Sequence, residues 1–177
     1  FYKPATLGDK VFLDTDADGQ QDPGEAGVPN VSVELYACVN NLPSGQVLAT
    51  KVTDANGIYN FTGLAPGDYI VKFITPAGFT LTTANVGADG SDSDAGVGGL
   101  TGCYNLESGE TDNTVDAGLV PLASIGDKVF EDKDADGQQD PGEGGIPGAT
   151  VRLYACVNNH PGGPAAQTTT DMRGDGT

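Results

Sequence analysis

The chain reads as an all-β protein built from tandem two-sheet β-sandwiches, each carrying an acidic cation-binding loop between two strands. Three observations carry that expectation: a long internal repeat, short segments of period-two hydrophobicity, and two nearly identical acidic twelve-residue stretches. Residues 8–41 and 126–159 align without gaps at a spacing of 118 and share 26 of 34 positions. A repeat of that length is a whole domain repeated rather than a short solenoid unit.

The strands come in order along the chain. "GDKVFLD" leads into the first acidic stretch, and "AGVPNVSVELYACV" comes after it. In the latter, Val31, Val33, Leu35, Ala37 and Val39 alternate with Ser32, Glu34, Tyr36 and Cys38, the pattern of a half-buried strand. Pro29 and the nearby glycines argue against a helix there. Later strands are expected in "VLATKVTD", "GIYNFTGL", "GDYIVKFIT", "TGCYNL" and "TVDAGL", separated by turns such as "DANG" and "LAPGD". About seven strands in roughly 115 residues fit a sandwich of immunoglobulin-like size.

This gives a domain map. Residues 1–5 are expected to be the tail of an upstream repeat with its linker, 6–120 a complete repeat, 121–124 a short linker, and 125–177 a truncated second repeat. In the 118-residue register Phe1 and Tyr2 align with Leu119 and Val120, so the chain reads as a window on a longer array. The linker "VPLAS" is short and contains proline, which restricts swinging between neighbouring repeats.

The acidic stretches "DTDADGQQDPGE" and "DKDADGQQDPGE" hold ten of the 25 acidic residues. Counting Asp14 as position 1, side-chain oxygens fall at 3 (Asp16), 5 (Asp18), 9 (Asp22) and 12 (Glu25). Gly19 stands at position 6, and Gln20 at position 7 offers its main-chain carbonyl. Asp132, Asp134, Asp136, Gly137, Gln138, Asp140 and Glu143 repeat the set. This is the ligand order of an EF-hand calcium loop, whose glycine makes the sharp turn and whose final glutamate closes on the ion. Ca2+ suits such an all-oxygen cage better than Mg2+, which holds its waters and demands octahedral geometry. Because strands flank the loops, the ion is expected to act as a structural staple and not to swing helices apart.

Charge and composition exclude other classes. The 177 residues carry 25 acidic and 8 basic side chains, a formal net charge of −17, against the basic patch that nucleic-acid binding requires. No apolar stretch approaches the ~18 residues of a membrane-spanning helix. The single histidine, His160, falls where the first repeat has Leu42, and no nucleophile–base pattern accompanies the acids, so no enzyme is expected. "RGD" at 173–175 occupies the turn that reads "ANG" in the first repeat; integrin recognition is not expected from a tripeptide alone. Asn30 and Asn60 head glycosylation sequons.

Cys38 and Cys156 are equivalent in the two copies of "LYACVNN", whereas Cys103 occurs once. The simplest pairing joins Cys38 to Cys103 and leaves Cys156 awaiting a partner beyond Thr177. Cys38 lies on the face of Ser32, Glu34 and Tyr36, which suits a peripheral bridge. Closing such a loop contributes on the order of 4 kcal/mol in the chain-entropy model.

"GDKVFLDTDADGQQDPGEAGVPNVSVELY", "TDANGIYNFTGLAPGDYIVKF", "PAGF" and "GETDNTVDAGL" together resemble the SdrD B-like repeats of bacterial surface adhesins, calcium-binding relatives of the Cna-B fold. The resemblance implies a calcium-rigidified β-sandwich in a stalk projecting from a cell surface, and further calcium ligands in "ADGSDSDAG": Asp92 and Asp94, with Asp9 of "GDKV". Many Cna-B relatives cross-link lysine to asparagine or aspartate with the help of a glutamate. Phe73 stands at that glutamate's position, so although Lys10 and Asp116 lie in the first and last strands, stabilisation is expected from calcium. The expected function is an extracellular, calcium-stabilised stalk or filament module. Its partners would be neighbouring repeats or other copies in a homo-polymer. The alternative is an adhesin domain gripping a host protein or glycan.

Overall fold

The computed structural model describes residues 1–157 and 160–171, which divide into two units, Phe1–Leu122 and Ala123–Thr177. The first is a sandwich of two sheets. One carries β1 (Ala5–Leu13), β4 (Ile58–Leu64), β6 (Phe79–Leu81) and β9 (Ala117–Pro121) in the order β4-β1-β9-β6, with the short β8 (Thr111–Asp112) also on β1. The other has the order β3-β2-β5-β7, from β2 (Ser32–Val39), β3 (Leu42–Val52), β5 (Gly67–Ile74) and β7 (Leu100–Leu106).

Alternation explains which residues meet between the sheets. Leu7 and Val11 of β1, with Tyr59 and Phe61 of β4, face Val33 and Leu35 of β2, Val71 and Phe73 of β5 and Leu106 of β7. Tyr59 meets both Phe61 and Phe73 edge to face, with ring centroids 5.8 and 5.5 Å apart. Phe73 is 1 % exposed and fills the core between the sheets.

First and last strands run parallel: Val11, Phe12 and Leu13 pair with Ala117, Gly118 and Leu119. Phe12 is buried on the side opposite Val11, and it requires the glycine beside it. A Cβ on Gly118 would lie 2.9 Å from the Phe12 ring, so the ring packs onto bare backbone of β9.

The strands differ from the sequence reading at several points. β3 begins at Leu42, five residues before the expected "VLATKVTD". Asn40 and Asn41 both take positive φ, 54° and 59°, and turn β2 back in a two-residue hairpin of the primed kind. Val39, expected on the core stripe, is exposed at that hairpin. β6 and β8 are additional short strands, held by pairing to β9 and β1 rather than by any pattern of their own.

In the second unit β10 (Thr150–Val157) and β11 (His160–Thr169) form an antiparallel pair. The bridge Phe130–Gly145 repeats Phe12–Gly27. Thr170 donates to the Ile146 carbonyl as Thr53 does to that of Val28. Among the described residues, those matching Leu7, Val33 and Leu35 of the first core are Ile125, Val151 and Leu153, and all three are exposed. His160 opens β11 and is exposed, and Arg173, Gly174 and Asp175 lie outside the described residues.

Leu35 is 0 % exposed. In urea unfolding, Leu35→Ala is expected to destabilise the first unit by about 2–5 kcal/mol.

Candidate metal centre

β1 ends in the first acidic loop. Asp14 continues the parallel ladder, its N–H donating to the Leu119 carbonyl at 3.0 Å, and this carries its carboxylate into the fold. There the side chain accepts from the N–H groups of Ala17 at 2.7 Å and Gly19 at 2.9 Å. Burial disfavours the Asp14 anion, but the Thr82 hydroxyl and the N–H groups of Gly19, Ala17 and Asp18 outweigh it and hold the pKa below the usual value. The chain can curl this tightly because Gly19 takes φ +89°, and a Cβ there would stand 2.6 Å from the Thr83 carbonyl oxygen.

Glu25 reaches back across the loop. One of its oxygens accepts from the Thr15 N–H at 2.7 Å and the other from that of Asp22 at 3.0 Å. Asp18 accepts from the Gln20 N–H at 2.8 Å. Carboxylate oxygens of Asp14, Asp16 and Glu25 lie within 4.8 Å of one another, as do those of Asp16, Asp18 and Asp22. For Asp16, slight desolvation and then the charges of Asp18, Asp14 and Asp22 raise the pKa.

A second set of acids lies against this loop. Gln20 bridges to Asp92, the Gln21 N–H donates to the Ser91 carbonyl at 2.7 Å, and the Ser93 N–H donates to that of Gly19 at 3.0 Å. Oxygens of Asp89, Asp92 and Asp94 come within 4.8 Å of one another. Asp92 and Asp94, two of the three residues that the resemblance implied, thus share one cluster. Asp89 joins them, and Asp9 is not among the three. Asp9 sits in β1 between Leu7 and Val11, where burial raises its pKa against the favourable charge of Lys10.

Asp116, immediately before β9, completes the arrangement. Its N–H donates to Asp94 at 2.7 Å, its carbonyl accepts from the Asp94 N–H at 2.9 Å, and its carboxylate accepts from the Lys10 N–H at 3.0 Å. Burial and then the charge of Asp9 push its pKa up to about 8, with Asp94 and Asp92 adding to the shift; burial raises Asp94 to about 6. Sequence reasoning considered Asp116 only as a cross-linking partner. The available signal was an acid between Val115 and Ala117, two residues that are buried.

The residues fit a hard cation by an observation independent of spacing. Asp92, 4 % exposed, and Asp116, 0 % exposed, each hold a buried carboxylate oxygen without a hydrogen-bond partner. Buried carboxylate oxygens left unpaired are costly, and a divalent ion satisfies several of them at once.

The second loop repeats the local wiring. Glu143 accepts from the N–H groups of Lys133 and Asp140, Asp132 from that of Gly137, and Asp136 from that of Gln138. Here it is the oxygens of Asp132, Asp134 and Asp136 that lie within 4.8 Å of one another, a different trio from those of the first loop. Its surroundings differ: Asp132 is exposed, and a Cβ on Gly137 would meet nothing within 4 Å.

The Cys38–Cys103 pairing expected from the repeat is present, with Cα atoms 5.9 Å apart, and Cys156 is free and exposed.

Comparison with known proteins places these features in context. The family model of the SdrD B-like domain matches residues 5–119 and 123–176. Serine-aspartate repeat-containing protein C of Staphylococcus aureus (strain Newman) is 43% identical over 176 residues, 97% of this chain and 17% of that protein. Serine-aspartate repeat-containing protein F of Staphylococcus epidermidis is 40% identical over 170 residues, 95% of this chain and 10% of that protein. The chain thus spans less than a fifth of these relatives' length. Among solved structures, a streptococcal ancillary pilin superposes with a TM-score of 0.50 at 17% identity, covering 98% of this chain and 48% of that one; the likeness is one of fold.

The buried acids set a pH dependence in the absence of metal. Groups whose pKa rises on folding stabilise fully below the unfolded value near 4, and that stabilisation is lost as pH rises through the folded values. In a chelator, the first unit's stability is expected to fall between about pH 4 and pH 8, the interval between the ordinary carboxylate range and the value near 8 for Asp116. Asp116→Asn should flatten much of that fall in thermal melts taken across the range.

Proposed function

The chain belongs to the SdrD B-like domain family, modules of extracellular bacterial cell-surface proteins, and from that membership we propose that it is a calcium-stabilised stalk or filament module. The observation that carries the calcium reading is the pair of buried, unpartnered carboxylate oxygens on Asp92 and Asp116, at the second acid cluster that is hydrogen-bonded to the first loop. Asp14, Asp16, Asp18, Asp22 and Glu25, with the Gln20 carbonyl, would hold one ion. Asp89, Asp92 and Asp94 would hold another, and Asp132, Asp134, Asp136, Asp140 and Glu143, with the Gln138 carbonyl, a third. When bound, Ca2+ supplies positive charge and six to eight oxygen coordination positions.

The protein's own contribution is positional. The ladder step from Asp14 to Leu119 sets the first loop at the seam between the first and last strands. The hydrogen bonds of segment 91–94 tie that loop to Asp116. Binding an ion there stabilises the sandwich where its first strand is fastened. The two repeats, 6–120 and 125–177 with 121–124 between them, would be links in a series whose partners are neighbouring repeats.

Thermal unfolding tests this on the intact chain under oxidising conditions. Calcium at about a hundredfold above the dissociation constant should add roughly 2.7 kcal/mol per site. Asp14→Ala with Glu25→Ala should remove the first loop's share. Equal melting in calcium and in chelator would refute calcium stabilisation and leave the disulfide as the main staple.

A further inference from the structure

We propose that the Cys38–Cys103 disulfide is an extension stop, limiting how far the first unit lengthens when its two ends are pulled apart. The inference rests on the stalk reading, because only a stalk module carries tension from end to end.

The path of load is set by topology. The chain enters the unit at Ala5, the start of β1, and leaves at Pro121, the end of β9. Since β1 and β9 are parallel and Leu13 pairs with Leu119, Ala5 lies about 26 Å back along β1 from that pair. Entry and exit are therefore at opposite ends of the seam. Tension along it shears the β1–β9 hydrogen bonds together instead of peeling them one at a time.

Once that seam gives way, the disulfide sets how much chain can be drawn out. It joins the end of β2 to β7, across the intervening β5, and its cysteines are 65 residues apart in sequence. Everything between them is shunted out of the load path: β3, β4, β5, β6 and the acids Asp89, Asp92 and Asp94. The load path keeps β1, the acidic loop Asp14–Glu25, most of β2, the end of β7, β8 and β9. The first loop is thus extensible, while the second acid cluster stays inside a covalently closed ring with the strand that carries Val71 and Phe73.

The bridge replaces 65 residues of extensible chain by a Cα–Cα span of 5.9 Å. At the ~3.6 Å per residue of fully extended chain, it withholds on the order of 230 Å, a little over half of what the unit could release. The ring also reduces the loop-closure entropy that re-forming β5 between β2 and β7 must overcome, so opening under load should be readily reversed.

The test is single-molecule stretching of the full chain through handles at both ends, in calcium. With the disulfide intact, the first unit should release less than half the contour length it releases after thiol reduction of the folded protein, a shortfall near roughly 230 Å. Cys38→Ser with Cys103→Ser should match the reduced protein, and reduction in place supplies the same comparison should that variant not fold. Equal release from oxidised and reduced protein would overturn the proposal. A shortfall of the expected size with an opening force indifferent to calcium would uphold the extension stop and count against calcium stabilisation.

Discussion

The parallel seam between β1 and β9 is the constraint on which the rest of this fold depends. Antiparallel neighbours can be joined by a hairpin, but parallel strands need a long connection, and here nearly the whole unit is that connection. Pairing Val11 to Leu13 with Ala117 to Leu119 closes the first sheet and sets Leu7 and Val11 over the facing core residues. It also sets Asp14 just beyond one end of the paired segment and Asp116 just ahead of the other. Gly118 is needed at the seam because Phe12 and Thr82 lie where a side chain on β9 would otherwise be.

Around that seam the protein concentrates negative charge where carboxylates are ordinarily avoided. Asp14, Asp92, Asp94 and Asp116 are all buried, and the hydrogen bonds that reach them come largely from main-chain N–H groups. Such bonds suffice for Asp14, whose anion is favoured. They do not suffice for Asp94 and Asp116, whose pKa values rise to about 6 and about 8. The contrast separates a carboxylate solvated by a tight loop from carboxylates desolvated beside one another. A divalent ion reverses the balance for the latter kind, because its charge acts at short range in a medium that screens weakly.

The two acidic loops form a natural comparison. Four hydrogen bonds from main-chain N–H groups to carboxylates recur in both, two at the closing glutamate, one at the first aspartate and one in the Asx turn at Asp18 and Asp136, whereas the Ala17 N–H bond to Asp14 is found in the first loop. Those shared bonds are a property of the twelve residues themselves. Burial of the first aspartate is not: Asp14 is enclosed and Asp132 is exposed. The segment 83–94 and β9 supply that enclosure.

What the sequence by itself determined was whatever is encoded within a few residues or by repetition. The loop grammar, the alternation of Val33 and Leu35, the turn after Asp54 and the pairing of Cys38 with Cys103 were all legible, since near neighbours or the repeat carried them. The Asn40–Asn41 hairpin was legible in principle, its residues being among the few that tolerate positive φ, but the strand expected after it starts only at Val47 instead of Leu42. Only the tertiary structure decided that Asp116 stands with Asp94, that Asp89 joins Asp92 and Asp94, and that β6 and β8 exist at all. Those facts join residues up to about a hundred positions apart through strand order. No local pattern specifies strand order, because it emerges from which apolar faces must be buried together.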